Sequence, residues 1–129
     1  LSEADTLLGK AAADGLQALG WILAEASQAD AELRVEILED LAHPSVGKGA
    51  WDCAVLVVQA PDRIGLSELS LHLQKLAVEA APEVRVNGVA VAEGWEKDLA
   101  ASIDWLAGAA MVTGQLILLS SEPAPSIPL

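Results

Sequence analysis

The sequence predicts an α+β domain in which two or three helices pack on a mainly antiparallel sheet, in the order α-β-β-α-β-(α)-β. Three observations lead there. Leu8, Ala12, Leu16 and Leu19, and again Leu66, Leu69, Leu73, Leu76, Ala77 and Ala80, recur at spacings of three and four, the period of helices with one apolar stripe. "WDCAVLVVQA" at 51–60 is apolar on both alternating faces, as a strand covered on both sides must be. Glycine-rich or Asn-Gly breaks, "HPSVGKG" at 43–49 and Asn87-Gly88, fall between strand-like runs, where a chain reverses into hairpins.

The elements follow in order. Ser2 with Asp5 three residues on resembles a capping box, so a helix opens at residue 3 and runs to about 19, with Gly20 as its stop; "WILAEASQA" at 21–29 is able to extend it. In "LRVEILED" (33–40) Leu33, Val35 and Ile37 alternate with Arg34 and Glu36, which describes an edge strand with one wet face. That strand is expected to pair with 51–60 as a hairpin across the Gly-rich loop. The stripe beginning at Leu66 is a helix that Pro82 ends.

"VRVNGVAVA" (84–92) predicts a small hairpin or kinked strand, because a type I′ turn needs positive φ at both central residues and Asn-Gly supplies them. Trp95, Leu99, Ile103 and Leu106 keep helical spacing, while Ile103, Trp105, Ala107 and Ala109 also fit an extended arm; length and alanine content favour the helix. "MVTGQLILLSS" (111–121) closes the domain as a strand. "EPAPSIPL" (122–129) is a Pro-rich tail that cannot pair continuously with a sheet, so residues 1–121 form the domain and 122–129 its appendage.

Composition narrows the functional classes. The 129 residues suit one domain, and 53% apolar against 20% charged residues is a globular balance. Phe and Tyr are absent beside four Trp, which leaves few aromatic platforms for bases or sugars. A formal charge of -12 repels phosphate backbones and anionic lipid, so neither specific nucleic-acid binding nor membrane binding is expected. One cysteine, no basic-then-apolar leader pattern and no bilayer-length apolar run predict a soluble, cytoplasmic protein. The chain starts at Leu1 rather than Met, which points to a trimmed start.

No catalytic, cofactor-binding or metal-binding residue is assigned. Cys53 and Asp52 are adjacent on a strand and so point to opposite faces, which makes Cys53 a core thiol rather than an activated nucleophile. His43, His72 and Cys53 have no metal-ligand spacing. Gly47-Lys48-Gly49 is no phosphate loop: Ala42 stands where its first glycine belongs, Gly49 stands where Ser or Thr would hold Mg²⁺, and a strand follows instead of a helix. Pairs of acids such as Asp98 with Asp104, or Glu36 with Glu39, read as a solvated face.

Taken together, the opening helix, "LRVEILED", a loop, "WDCAVLVVQAP", "LSELSLHLQKLAVEA" and "MVTGQLILLSS" resemble the layout of phage tail terminator and tail-completion proteins. The resemblance implies a non-enzymatic, commonly hexameric ring that caps the tail tube and joins it to the head connector, in the host cytoplasm and the virion. It further implies partners in copies of itself and other protein subunits, and an acidic lumen that lets DNA pass. The contact residues expected under it are Arg34 and Glu36 on the edge strand, Lys48 in the loop, and Pro123 and Pro125 in the tail, whose deletion should weaken self-assembly. The competing expectation is a small cytosolic α/β interaction domain that binds one protein partner as an adaptor.

Overall fold

The computed structural model describes residues 3–22, 30–38 and 50–121. The first apolar stripe folds as α1 (Glu3–Ala18), burying Leu8, Ala12 and Leu16. It ends in a Schellman motif: Gly20 takes φ +99°, its amide donates to Gln17 O at 3.0 Å, and the Trp21 amide donates to Leu16 O at 3.0 Å. The Trp21 indole then donates to Asp104 Oδ1 at 2.8 Å, fixing this end of the helix to a later element. Ser2, the expected cap, lies outside the described residues.

The strands are β1 (Asp30–Ile37), β2 (Ala50–Gln59), β3 (Arg85–Val91) and β4 (Leu116–Leu119), and they stand side by side as β1-β2-β3-β4. Every neighbouring pair is parallel, with Cys53 opposite Arg85 and Val89 opposite Ile117. This corrects the expected mainly antiparallel sheet and the hairpin between the first two strands. Asp30 aligns with Ala50 and Ile37 with Val57, so residues 38–49 return the chain to the starting end of β1. A parallel pair needs a crossover of about a dozen residues or more, and that segment has the length.

The Asn-Gly hairpin is also corrected: Asn87 and Gly88 sit inside β3, which runs straight through them. Asn87 is fully buried and spends its amide on the neighbouring loop, donating to Val112 O at 3.0 Å and accepting from Gln115 N at 3.1 Å. Gly88 lets Leu73 approach, since a Cβ there would lie 2.6 Å from Leu73 Cδ1. Buried satisfaction and close packing override the turn preference of the dipeptide.

Helices cover both faces of the sheet. On one face α2 (Arg63–Ala80) packs Leu69, Leu73 and Ala77 on Leu56, Val58, Val86 and Ala90. On the other, α1 and α3 (Leu99–Gly108) bury Leu99, Ala100, Ile103 and Leu106 against Cys53, Val55, Val57, Val89 and Val91. Each buried Leu or Ile contributes about 1.5–3 kcal/mol before chain entropy is set against it. A short 3-10 turn (Glu96–Asp98) leads into α3, so the stretch open to an extended-arm reading is helical.

The strand order steps the same way twice, β2 to β3 to β4, yet α2 lies on one face and α3 on the other. Two parallel crossovers that step in one direction over opposite faces have opposite hands. One of them is therefore left-handed, a rare arrangement among βαβ units.

Candidate functional site

Parallel α/β sheets bind ligands outside the carboxyl ends of their strands, where loops and helix N-termini converge. Here that edge is formed by Leu38 after β1, Ala60-Pro61-Asp62 after β2, Ala92 to Trp95 after β3 and Ser120 after β4. The ladder runs on to this edge: Leu38 N donates to Val57 O at 2.8 Å, Ala60 N to Val91 O at 2.9 Å and Ala92 N to Leu119 O at 2.9 Å.

The first helix N-terminus at the edge belongs to α2. Asp62 caps it with extended backbone, and its Oδ1 accepts from Gly65 N at 2.8 Å. The carboxylate places a negative charge where a helix would otherwise present free amides to an anion. Gly65 also lies against Pro61, whose Cβ would be 2.8 Å from an added methyl, so the turn is closely packed. Arg63 follows Asp62 directly, whereas after β3 the chain continues through Glu93, Glu96, Lys97 and Asp98, where acids outnumber bases. Gly94 takes φ +90°, and Trp95 tucks against the core beneath it.

The opposite, amino edge holds Cys53 and Arg85, neighbours across β2 and β3. Cys53 is 1% exposed, and burial pushes its thiol above the ordinary value against the opposing pull of the Arg85 guanidinium. Arg85 itself closes the C-terminus of α3: Nη1 donates to Leu106 O at 3.0 Å and to Ala109 O at 2.6 Å, and Nη2 to Ala107 O at 2.9 Å. A fixed cation on those carbonyls adds charge-assisted bonds to the helix end and complements the helix dipole. This pair serves architecture, at the end of the sheet away from ligand-binding loops.

Of the residues expected at an interface, two are described. Arg34 and Glu36 lie on the same side of β1, with Arg34 Nε 3.2 Å from Glu36 Oε1, both half-buried. Lys48, Pro123 and Pro125 lie outside the described residues, as does His43. His72 sits partly buried on α2. Among the described residues no group of three or more His, Cys, Asp or Glu is placed to hold a metal ion, and no helix is long and apolar enough to cross a membrane. Sequence reasoning missed Asp62 and Arg85. The signal for Asp62 was available, in an Asp three residues before a glycine at the start of the Leu stripe; for Arg85, whose partners are backbone carbonyls some twenty residues away, there was none.

Comparison with known proteins corrects the phage tail assignment. No curated protein and no solved structure matches the chain. A family described as short chain dehydrogenase-like protein matches residues 17–119, a stretch that takes in the whole sheet and both helices that connect β2 to β4. The matched stretch carries the parallel strand pairing in place of the mainly antiparallel sheet expected with the tail assignment. The chain belongs to the short-chain-dehydrogenase-like family.

Proposed function

We propose that this member of the family is a non-catalytic subunit, one that keeps the parallel sheet and its helices and acts by associating with other chains instead of turning over a substrate. The observation that carries the reading is the state of the α2 N-terminus at the carboxyl edge of the sheet, filled by the chain's own Asp62 carboxylate.

A dehydrogenase moves hydride to or from a nicotinamide dinucleotide, whose pyrophosphate rests on a Gly-rich strand-to-helix turn. The residues present do not fit that group. No G-x-G-x-x-G occurs in the sequence; its nearest approach, Gly47-Lys48-Gly49, runs into β2 instead of opening a helix. Dinucleotides bind where the strand order reverses, and the order β1-β2-β3-β4 contains no reversal. Along the edge Asp62, Glu93, Glu96 and Asp98 outweigh Arg63 and Lys97, a net negative charge that disfavours a pyrophosphate. The sequence has no tyrosine, so a phenol is not available as proton donor, and Cys53 and Arg85 stand at the other end of the sheet.

One observation favours a second reading. Sequential parallel order is also that of the strands within one half of a doubly wound sheet, though here helices cover both faces, so the chain would complete a dinucleotide fold whose phosphate-binding half is supplied by another segment or chain. The two readings differ in what this chain does by itself. Oxidation of NADH and NADPH in the presence of small aldehydes and ketones should proceed no faster with the protein than without it. A rate proportional to protein concentration overturns the non-catalytic reading.

A further inference from the structure

β4 stands at one side of the sheet, and among the described residues only β3 pairs with it. Its two rows of backbone groups point opposite ways. Gln115 O accepts from Gly88 N at 2.8 Å and Leu119 O accepts from Ala92 N at 2.9 Å, so the odd-numbered residues spend their backbone on β3. The amides and carbonyls of Leu116 and Leu118 therefore face outward along the free edge. Leu116, Ile117, Leu118 and Leu119 include no charge and no proline, the usual devices that keep a bare edge from taking up another strand. Leu118, on the same side of the strand as Leu116, is 42% exposed.

The segment that follows has a sequence able to cover this edge. The chain bends at Ser120 and Ser121, directly after β4, and continues as "EPAPSIPL" (122–129). Turned back beside β4 it would run antiparallel, with alternate residues bonded to β4 and those between them facing away. The register follows by elimination. Loops of two or four residues put either Leu119 or Pro123 in a bonded pair, yet the Leu119 carbonyl already points at Ala92 and Pro123 has no N–H. Loops of three residues end on a residue of positive φ, which neither Ser121 nor Pro123 supplies. A five-residue loop, 119–123, meets every condition. It sets Ala124 opposite Leu118 and Ser126 opposite Leu116 as bonded pairs. Pro125 then lies opposite Ile117, where its missing N–H would point away from the sheet, and Pro128 stops the ladder at the next bonded position.

We propose that residues 124–126 add to the sheet as a short antiparallel strand on the free edge of β4, Leu118 and Ala124 exchanging both backbone bonds and Leu116 and Ser126 doing the same. Ala124 and Ser126 fall on the α2 side of the sheet with Leu116, and Pro125 falls with Ile117 on the side of α1 and α3. This strap is the chain's own cover for an unguarded edge. It takes up the groups that a strand of another chain would otherwise use, and its outer rim carries Pro125, which cannot donate to a further strand. The proposal goes beyond the association reading and is independent of it, since it names an edge of the sheet that other chains do not reach.

The test is nuclear magnetic resonance of the full chain. In an antiparallel ladder the Hα atoms of an unbonded pair approach each other, so Ile117 and Pro125 should show a direct Hα–Hα contact, and the amides of Leu116, Leu118, Ala124 and Ser126 should exchange slowly. Ala124→Pro removes one donor of the strap and should speed exchange at Leu116 and Leu118 about tenfold. Ile117 and Leu119, whose backbone serves β3, should keep their protection in that variant. Pro125→Ala should leave the pattern as it is, because its position asks for no N–H. A wild type in which Leu116 and Leu118 exchange freely and Ile117 does not meet Pro125 overturns the proposal, and this decides the matter whether or not a variant folds. A contact seen only between labelled and unlabelled copies in a mixed sample also overturns it, by giving the edge to a second chain.

Discussion

The Asp62 carboxylate accepts a hydrogen bond from the Gly65 amide at 2.8 Å, closing the N-terminus of α2 with a charge that belongs to the chain itself. The bond satisfies one of the orphan amides of the first turn and complements the helix dipole. Replacing Asp62 with Ala should lower stability by about 1 kcal/mol, the usual loss for a capping side chain. Asp62→Asn should retain most of it, because the amide oxygen still accepts. Urea unfolding followed by tryptophan fluorescence measures both, and an unchanged midpoint for Asp62→Ala would contradict the capping role.

Arg85 should matter more to stability than its place on a strand suggests. Its guanidinium reaches three carbonyls at the end of α3; Leu106 O keeps the Ala109 amide at 3.3 Å and Ala109 O keeps the Val112 amide at 3.0 Å, so removing Arg85 takes away three charge-assisted bonds in a half-buried position. Arg85→Met should cost about 1.5–3 kcal/mol, the range for hydrogen bonds to a charged group. Arg85→Lys should recover only part of the loss, since an ammonium lacks the planar fork that serves Leu106, Ala107 and Ala109 together. Full recovery by lysine would show that charge alone is what the helix end needs.

Cys53 should be silent in the folded protein. It is buried at the amino edge of the sheet, and iodoacetamide should label it only in denaturant, whereas rapid labelling near neutral pH would reveal an exposed, activated thiol. Burial raises its pKa above the ordinary 9.0, which sets a direction for stability. Below the unfolded value both states hold the proton and the contribution is fully present. As pH rises from about 9 through the folded value, the unfolded thiolate forms first and the contribution is lost. Wild type should therefore lose stability in that window more steeply than Cys53→Ala, as unfolding midpoints from pH 7 to 10 would show.

Much of the element pattern was legible because burial writes itself into spacing. Leu8, Ala12 and Leu16, and Leu69, Leu73 and Ala77, announce the buried stripes that the structure contains. Alternation in β2 likewise separates Val55 and Val57 from Leu56 and Val58, which do face different helical layers. Alternation does not say which way a neighbouring strand runs, and the direction was misjudged. Short glycine-rich breaks suggested reversal, when the apolarity of β2 on both faces is itself a mark of a parallel sheet buried on both sides. Asn87-Gly88 was misread for a related reason. Its turn preference is local, while the Asn87 bonds to Val112 and Gln115 are tertiary and win.

The carboxyl edge was the least legible part, because it is built by topology. Asp62 carries a capping signal but Glu93 and Trp95 carry no motif, and the three come to one edge of the sheet only because β2 and β3 are parallel. Arg34 and Glu36 were expected contacts because they lie on an edge strand; β1 does lie at the edge of the sheet, where the two residues bridge each other on the same side as α2.

The central claim is that the carboxyl edge of this sheet is closed to a dinucleotide, and calorimetric titration of the full chain with NADH and with NADPH addresses it most directly. The account predicts no saturable heat with either nucleotide at any accessible concentration. Saturable binding of one nucleotide per chain in the micromolar range would contradict it, and would mean that Asp62 and the acids around it yield to a phosphate they are expected to repel.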